Sequence, residues 1–277
     1  MQQPENSAKN RSSRKGDPML DLTTLPLWLT GFILVIVPTL IAMAGPIFIR
    51  QRVKLEQLSN NNEVAGFKFA TVGVLYAVLL AFAVIVVWEK FSDSEGQVAQ
   101  EAGAAATIYR LADGIQGDAG AALDARLTEY VKVAISDDWP AMADGHGSKA
   151  ATEALNALYK TTLQFSPSGA RDSDLLAEVL HQLDLLTQAR RARLVAASGI
   201  VPDLLWLVLF GGAILTVCFT FFFGTENVYA QATMTGVLAV LIFSGLLIIV
   251  MIDRPFAGSV SVRPEALVAV LDDLGKR

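Results

Sequence analysis

The sequence is poor in the residues that build redox, metal and charged surface sites. It has one cysteine, Cys218, so an intrachain disulfide is impossible. Its two histidines, His146 and His181, supply no zinc-ligand set without a second cysteine. Charged residues make up only 18% of the chain, against about 25% in an ordinary soluble domain. With 22 basic and 27 acidic residues, the chain also lacks the overall basic character expected of a nucleic-acid-binding protein.

The shortage of charge is concentrated in four long apolar windows. They contain no Asp, Glu, Lys, Arg or His and cover residues 22–49, 69–88, 204–225 and 227–252. Each holds at least the roughly 20 apolar residues that a helix needs to cross a bilayer. The sequence therefore predicts an all-α integral membrane protein with four transmembrane helices. An alternative for the first window is a cleaved signal, because Ala42-Met43-Ala44 resembles a cleavage site, but the apolar run continues past it to Ile49.

The rest of the chain follows from these spans. We predict a disordered basic tail (1–24), transmembrane helices one and two (25–88), a helical extramembrane domain (89–203), transmembrane helices three and four (204–252), and a C-terminal turn with a short amphipathic helix (253–277). The 89–203 domain carries 10 basic and 17 acidic residues, so it holds the acidity of the whole protein. Within it, Asp137 and Asp138 precede Trp139-Pro140, a pattern that predicts the end of a helix.

An even number of spans places both termini and the 89–203 domain on one side of the membrane. Near the membrane, that side has twelve basic residues and the other side has four. The positive-inside rule then predicts that the domain and both termini lie in the cytoplasm.

The second span has a regular stripe of small residues at Gly66, Ala70, Gly73, Ala77 and Ala81. The steps of three and four residues keep the stripe on one helical face, where small side chains let two helices approach closely in lipid. Packing within the chain is one interpretation. The other is a subunit contact or a pore lining, which would require a homo-oligomer, since four helices cannot enclose a wide channel.

A second candidate site is a set of charges at the membrane edge: Glu89, Arg190, Arg191, Arg193, Asp253 and Arg254. The three arginines lie just before the third span, where they can meet lipid phosphate or pair with the acidic helices of the domain. Asp253 and Arg254 end the fourth span, where one interpretation is that they stop and anchor it. The other is a pairing with Glu63, Glu89 or the arginine cluster, with Glu89 preferred to Glu63 because it lies on the same side of the membrane.

Catalytic signals are weak. The four windows contain no ionisable residue of the kind that marks proton relays and intramembrane active sites, and no phosphate-binding glycine pattern occurs. His181 has Glu178 and Asp184 at three-residue spacing, but a helix surface supplies such a pair by chance. We therefore predict no enzyme activity, no catalytic residues, no cofactor and no metal.

Several segments together resemble the bacterial bestrophin-like domain family, a family of unknown function. They are NNEVAG (61–66), YAVLLAF (76–82) with Trp88 and Glu89, Arg190-Arg191 with Arg193-Leu194, Pro202 with Trp206, and DRPF (253–256) with Gly258. The resemblance covers roughly residues 25–275. It implies four spans with a helical domain between the second and third, and the family name suggests an anion channel by analogy with the pentameric chloride channels called bestrophins.

Two functions are therefore expected. The first is an oligomeric ion channel or pore, whose partners are the bilayer and further copies of the chain. The alternative is a membrane scaffold or sensor whose acidic helical domain binds a protein partner. No nucleic-acid partner is predicted.

Overall fold

The computed structural model describes residues 25–60, 62–115 and 117–275. Every regular element in these ranges is helical. The predicted disordered tail, residues 1–24, lies outside them. The all-α class expected from the sequence is confirmed.

We number the helices in chain order. They are α1 (Leu27–Arg52), α2 (Leu55–Ser59), α3 (Asn62–Ala112), α4 (Asp118–Val133), α5 (Trp139–Ala143), α6 (Lys149–Gln164), α7 (Ala170–Ala197), α8 (Asp203–Phe219), α9 (Val228–Ile252) and α10 (Glu265–Leu274). A π-helical turn, Phe32–Ile36, interrupts α1 just before Pro38.

Four helices are long and apolar enough to cross a membrane: α1, α3, α8 with the following 3₁₀ turn (Asp203–Phe222), and α9. This confirms the four predicted spans. Helix α3 has 51 residues, which at about 1.5 Å per residue gives a rod of roughly 75 Å. It therefore leaves the apolar window and continues, without a break, into the helical domain between spans two and three, which we call the inserted domain.

The spans approach one another closely at three glycines of α8 and α9. A Cβ atom on Gly236 would lie 2.8 Å from Met43 of α1, and one on Gly245 would lie 2.8 Å from Leu80 of α3. On α8, a Cβ on Gly212 would lie 2.6 Å from the Tyr76 ring. Because these positions are glycine, a side chain of one helix packs directly against the backbone of the next, as expected for helices packed in lipid.

Two neighbouring glycines offer a direct test of this packing. Gly212→Ala is expected to destabilise the protein by about 1–3 kcal/mol, because the added methyl overlaps the Tyr76 ring. That ring is held in place, since its hydroxyl donates to the Leu209 carbonyl at 3.0 Å. Gly211→Ala is the matched control, with no atom within 4 Å of the new methyl. Thermal unfolding in detergent measures both, and equal midpoints would contradict the close contact.

The inserted domain is a bundle of α4, α6, α7 and the second half of α3 around its own apolar core. The core includes Ile108, Leu127, Leu158 and Leu183, all fully buried. Helix α10 returns to this bundle and buries Leu267 in it.

The predicted helix end before Pro140 is wrong. The chain passes from α4 through a π-helical turn, Ala134–Asp138, directly into α5. Pro140 lies in the first turn of α5, and the helix continues through it. Asp138, the last residue of the π turn, is fully buried.

Candidate functional site

The small-residue stripe on α3 is largely unpacked. Ala70, Ala77 and Ala81 are exposed, and a Cβ on Gly73 would meet no atom within 4 Å. On Gly66 the nearest atom would be 3.9 Å away. Close contacts between the spans instead involve Gly45 of α1 and the glycines of α8 and α9. The stripe is thus available to something outside the protomer.

A groove of 640 Å³ runs beside this stripe. Gly73, Ala77 and Ala81 form one wall, and Leu238 and Leu241 of α9 form the other. Its lining is almost entirely apolar, as expected of a surface that meets lipid or another helix.

The inserted domain contains a buried ion pair between Arg193 of α7 and Glu101 of α3. The Arg193 Nε donates to Glu101 Oε2 at 2.8 Å, and Nη2 donates to Oε1 at 3.0 Å. Both side chains have no exposed surface. The bidentate geometry is the strongest arrangement available to an arginine and a carboxylate.

Asp138 extends the ion pair into a network of two acids and two bases. Its Oδ2 accepts from Arg193 Nη2 at 3.2 Å and from Arg190 Nε at 2.8 Å. Its Oδ1 accepts from the Ser148 backbone N–H at 2.7 Å, at the start of α6. The four side chains neutralise one another, which is the condition under which buried charge is tolerated.

Tyr130 of α4 completes the shell around Glu101. Its hydroxyl donates to Glu101 Oε1 at 2.6 Å. Burial, together with the Glu101 charge, raises the pKa of Tyr130 well above its ordinary value, so the hydroxyl remains a donor. Burial works to lower the pKa of Arg193, but pairing with Glu101 outweighs it and the pKa is raised. Arg193 therefore stays charged.

Trp139 connects this network to the segment that follows α9. The Arg193 guanidinium lies 4.5 Å from the centre of the Trp139 ring, a cation–π contact. The Trp139 Nε1 donates to the Val262 carbonyl at 3.1 Å, and its ring meets Phe256 edge-on at 5.9 Å. The inserted domain is thereby attached to the end of the fourth span.

Asp253 makes a second attachment at the same membrane edge. Its Oδ1 accepts from the backbone N–H groups of Ile200 and Val201, at 3.1 and 2.7 Å. These residues join α7 to α8, and Gly199 before them has a φ of +102°, which favours glycine. The carboxylate holds this sharp connection in place.

The predicted charge set thus separates into different environments. Arg190 and Arg193 pair with acids of the domain, which is one of the two alternatives left open by the sequence. Arg191, between them, is exposed, as is Glu89. Asp253 is buried against backbone amides, and Arg254 is half-buried beside Gly145.

Sequence reasoning missed Glu101, Asp138, Tyr130 and Trp139 as members of this site. Only Glu101 carried a signal: it is the only charge between Glu95 and Arg110, in a helix rich in alanine and glycine. An isolated charge on an otherwise apolar helix is a candidate for a buried ion pair.

The opposite end of α3 is held by an amide clamp. Asn62 Nδ2 donates to the Gly224 carbonyl at 2.7 Å, and the Gly224 N–H donates to Asn62 Oδ1 at 2.9 Å. This reciprocal pair joins the start of α3 to the connection between spans three and four.

No group of three or more potential metal ligands occurs within residues 25–60, 62–115 and 117–275. The carboxylates beside His181 have other hydrogen bonds, since Glu178 accepts from Gln182 and Asp184 accepts from Gln188.

These features define a multi-pass helical membrane protein with a helical domain inserted between its second and third spans. A family model described as a bestrophin-like domain matches residues 36–267. The chain belongs to the bestrophin-like family, and the resemblance seen in the sequence is confirmed.

Solved structures share this fold. A point-mutated bacterial bestrophin homologue from Klebsiella pneumoniae is 14% identical, with a TM-score of 0.68 over 87% of this chain and 97% of that one. A second mutant of the Klebsiella homologue has a TM-score of 0.67 over 88% of this chain and 98% of that one, also at 14% identity. A structure described only as a mutated membrane protein is again 14% identical, covers 86% and 95%, and has a TM-score of 0.67. A comparison with curated proteins gives no significant match.

Proposed function

We propose that the chain assembles into a homo-oligomeric ion channel or pore in the bacterial inner membrane. The observation that carries the proposal is the unpacked stripe of α3, with Gly73, Ala77 and Ala81 open along a groove. Four helices do not enclose a pathway by themselves, so a pore requires several copies around an axis. Pores can be lined by small and apolar groups, which fits spans without charged residues.

The orientation that we propose puts the inserted domain and both termini in the cytoplasm, as the distribution of basic residues favours. In this arrangement α3 extends the proposed pathway from the membrane into the domain. The buried network then fixes the inner half of α3, and the Asn62–Gly224 clamp fixes its outer end.

The test is a bulky substitution in the stripe. Ala77→Trp is expected to reduce the assembly to monomers in detergent and to lower ion flux in liposomes to the level of empty vesicles, because the indole prevents close helix approach. Leu207→Trp is the control, since Leu207 is 70% exposed on α8 and lies outside the groove. Light scattering gives the particle mass, and an ion-sensitive dye gives the flux.

Two outcomes would contradict the proposal: a wild-type particle of one 29.7 kDa chain, or no flux at any voltage, pH or Ca²⁺ concentration. A cysteine variant separates pore lining from subunit contact. In a Cys218→Ser background, a water-soluble thiol reagent blocks flux through Ala77→Cys only if that position faces the pathway.

One observation favours a second function, a scaffold or sensor that binds a basic protein partner. The buried network is neutral, so the entire net charge of −7 of residues 89–203 belongs to the remaining side chains of the domain. If partner binding is the function, neutralising exposed acids such as Glu129, Glu153 and Asp174 abolishes the cellular response. If conduction is the function, these substitutions leave flux in liposomes unchanged.

A further inference from the structure

A second groove lies on the other flank of α3, away from the stripe. Leu75, Val78 and Phe82 line it on α3, and Val201 and Leu205 line it at the start of α8. Its volume is 400 Å³ and its surface is almost wholly apolar. The three α3 side chains are 67%, 50% and 64% exposed, so no other part of the described chain covers them.

This apolar groove continues into a more polar cleft between α3 and α7. The two share Val86 and Ile200 as common walls. The cleft has a volume of 540 Å³, and Lys90, Asp93 and Gln97 contribute its polar lining on α3. The groove and the cleft together form one continuous surface depression, apolar at one end and polar at the other.

The dimensions match one leaflet of a bilayer. From Leu75 to Val86 the helix rises by roughly 16 Å, at about 1.5 Å per residue. Half of a hydrocarbon core of about 30 Å is about 15 Å. Trp88, 61% exposed, follows where aromatic residues favour the membrane–water boundary. The lining of the groove therefore changes from apolar to polar at the depth where a phospholipid changes from acyl chain to headgroup.

The polar end carries charges of both signs. Lys90 Nζ lies 3.2 Å from Asp93 Oδ2, and both side chains are more than half exposed. On the facing helix, Arg191 is exposed one turn before Val195, which lines the cleft. Val195 is 73% exposed on a helix of the inserted domain, a position that lipid contact would explain.

We propose that this groove holds one zwitterionic phospholipid from the leaflet on the side of the inserted domain. An acyl chain lies along Leu75, Val78 and Phe82. Lys90, with Arg191 nearby, receives the phosphate, and Asp93 receives the ammonium group of a phosphoethanolamine headgroup. The site is distinct from the stripe, and its occupancy does not depend on ion conduction.

Photo-crosslinking identifies the occupant directly. With p-benzoylphenylalanine in place of Phe82, irradiation after detergent purification is expected to add the mass of one phosphatidylethanolamine to the protomer. The control places the same group at Leu207, which faces lipid outside the groove and whose loosely held lipids exchange into detergent. A cross-link from position 82 to a second copy, or no lipid adduct above the Leu207 level, overturns the proposal.

Headgroup recognition is tested by native mass spectrometry after incubation with equal amounts of phosphatidylethanolamine and phosphatidylglycerol. Wild type is expected to retain mainly the former, Lys90→Ala to retain several-fold less of both, and Asp93→Lys to prefer phosphatidylglycerol. Lys149→Ala is the matched control, because Lys149 forms a similarly exposed lysine–carboxylate pair, with Glu153. Identical retention by all four proteins overturns the proposal.

Since binding is measured without flux, a non-conducting protein that keeps its lipid refutes the channel and not the lipid site.

Discussion

Replacing Arg193 with methionine is expected to lower the stability of the protein by about 3–5 kcal/mol. The methionine fills much of the same space, but the Glu101 carboxyl group is left fully buried and without its bidentate partner. Asp138 loses one of its two arginines at the same time. In thermal unfolding in detergent, at about 2–4 °C per kcal/mol, the midpoint should fall by roughly 10 °C.

Arg191→Met is the matched control. It removes the same charge from the same helix two residues away, but Arg191 is exposed, so the change should be within about 0.5 kcal/mol. Similar losses in the two variants would mean that the positive charge of the segment matters and that the buried pairing does not.

A second substitution separates unpaired charge from lost packing. Adding Glu101→Gln to Arg193→Met removes the stranded carboxylate and keeps an oxygen that accepts from Tyr130. Removing both members of a buried ion pair is often far less costly than removing one. The double variant should therefore unfold at a higher temperature than Arg193→Met alone, and a further drop would show that packing around the guanidinium dominates.

The spans and the network differ in how far sequence could predict them. A membrane helix is a local property, because 20 or more apolar residues suffice whatever the rest of the chain does. All four spans were therefore found. The stripe on α3 was found in the same way, since its spacing places the residues on one face. What that face contacts depends on other helices, and in the structure the face is largely exposed.

The network is a property of distant residues. Glu101 and Arg193 are 92 positions apart, and nothing in either local segment specifies the other. Of three arginines within four positions, Arg190 and Arg193 are one turn apart and face the domain, while Arg191 points away. Helical spacing could separate them into two faces, but only the packing of α3 against α7 shows which face is buried.

Asp138 is the case in which a local rule misled. The residue before a proline avoids the α region, so Trp139-Pro140 predicts the end of a helix at the two aspartates. The helix instead continues through a π-helical turn, in which Asp138 is buried and Asp137 is exposed. Such turns occur often at functional positions, and no pattern in the sequence marked this one.

The second large loss of stability is expected at Asp138, and its neighbour Asp137 provides the control. Asp138→Asn is expected to lower the stability of the protein by about 3 kcal/mol or more, because Arg190 and Arg193 both donate to this carboxylate. Arg193 keeps its pairing with Glu101, whereas within the network Arg190 pairs with Asp138 alone. The substitution is isosteric, so the loss reflects charge and not a cavity. Asp137→Asn changes the same charge one residue earlier on an exposed side chain and should be nearly neutral.

Hydrogen exchange should show where the Asp138→Asn protein opens. Asp138 also accepts from the Ser148 N–H, and Ser148 caps α6 by accepting from the Ala151 N–H. Weakening the carboxylate therefore releases the first turn of α6 as well as the π turn, and exchange should accelerate at residues 148–152 as well as 134–138. Faster exchange confined to 134–138 would mean that α6 is held by its apolar contacts alone. Acceleration at both segments, absent from Asp137→Asn, would establish that one buried carboxylate joins α4, α6 and α7.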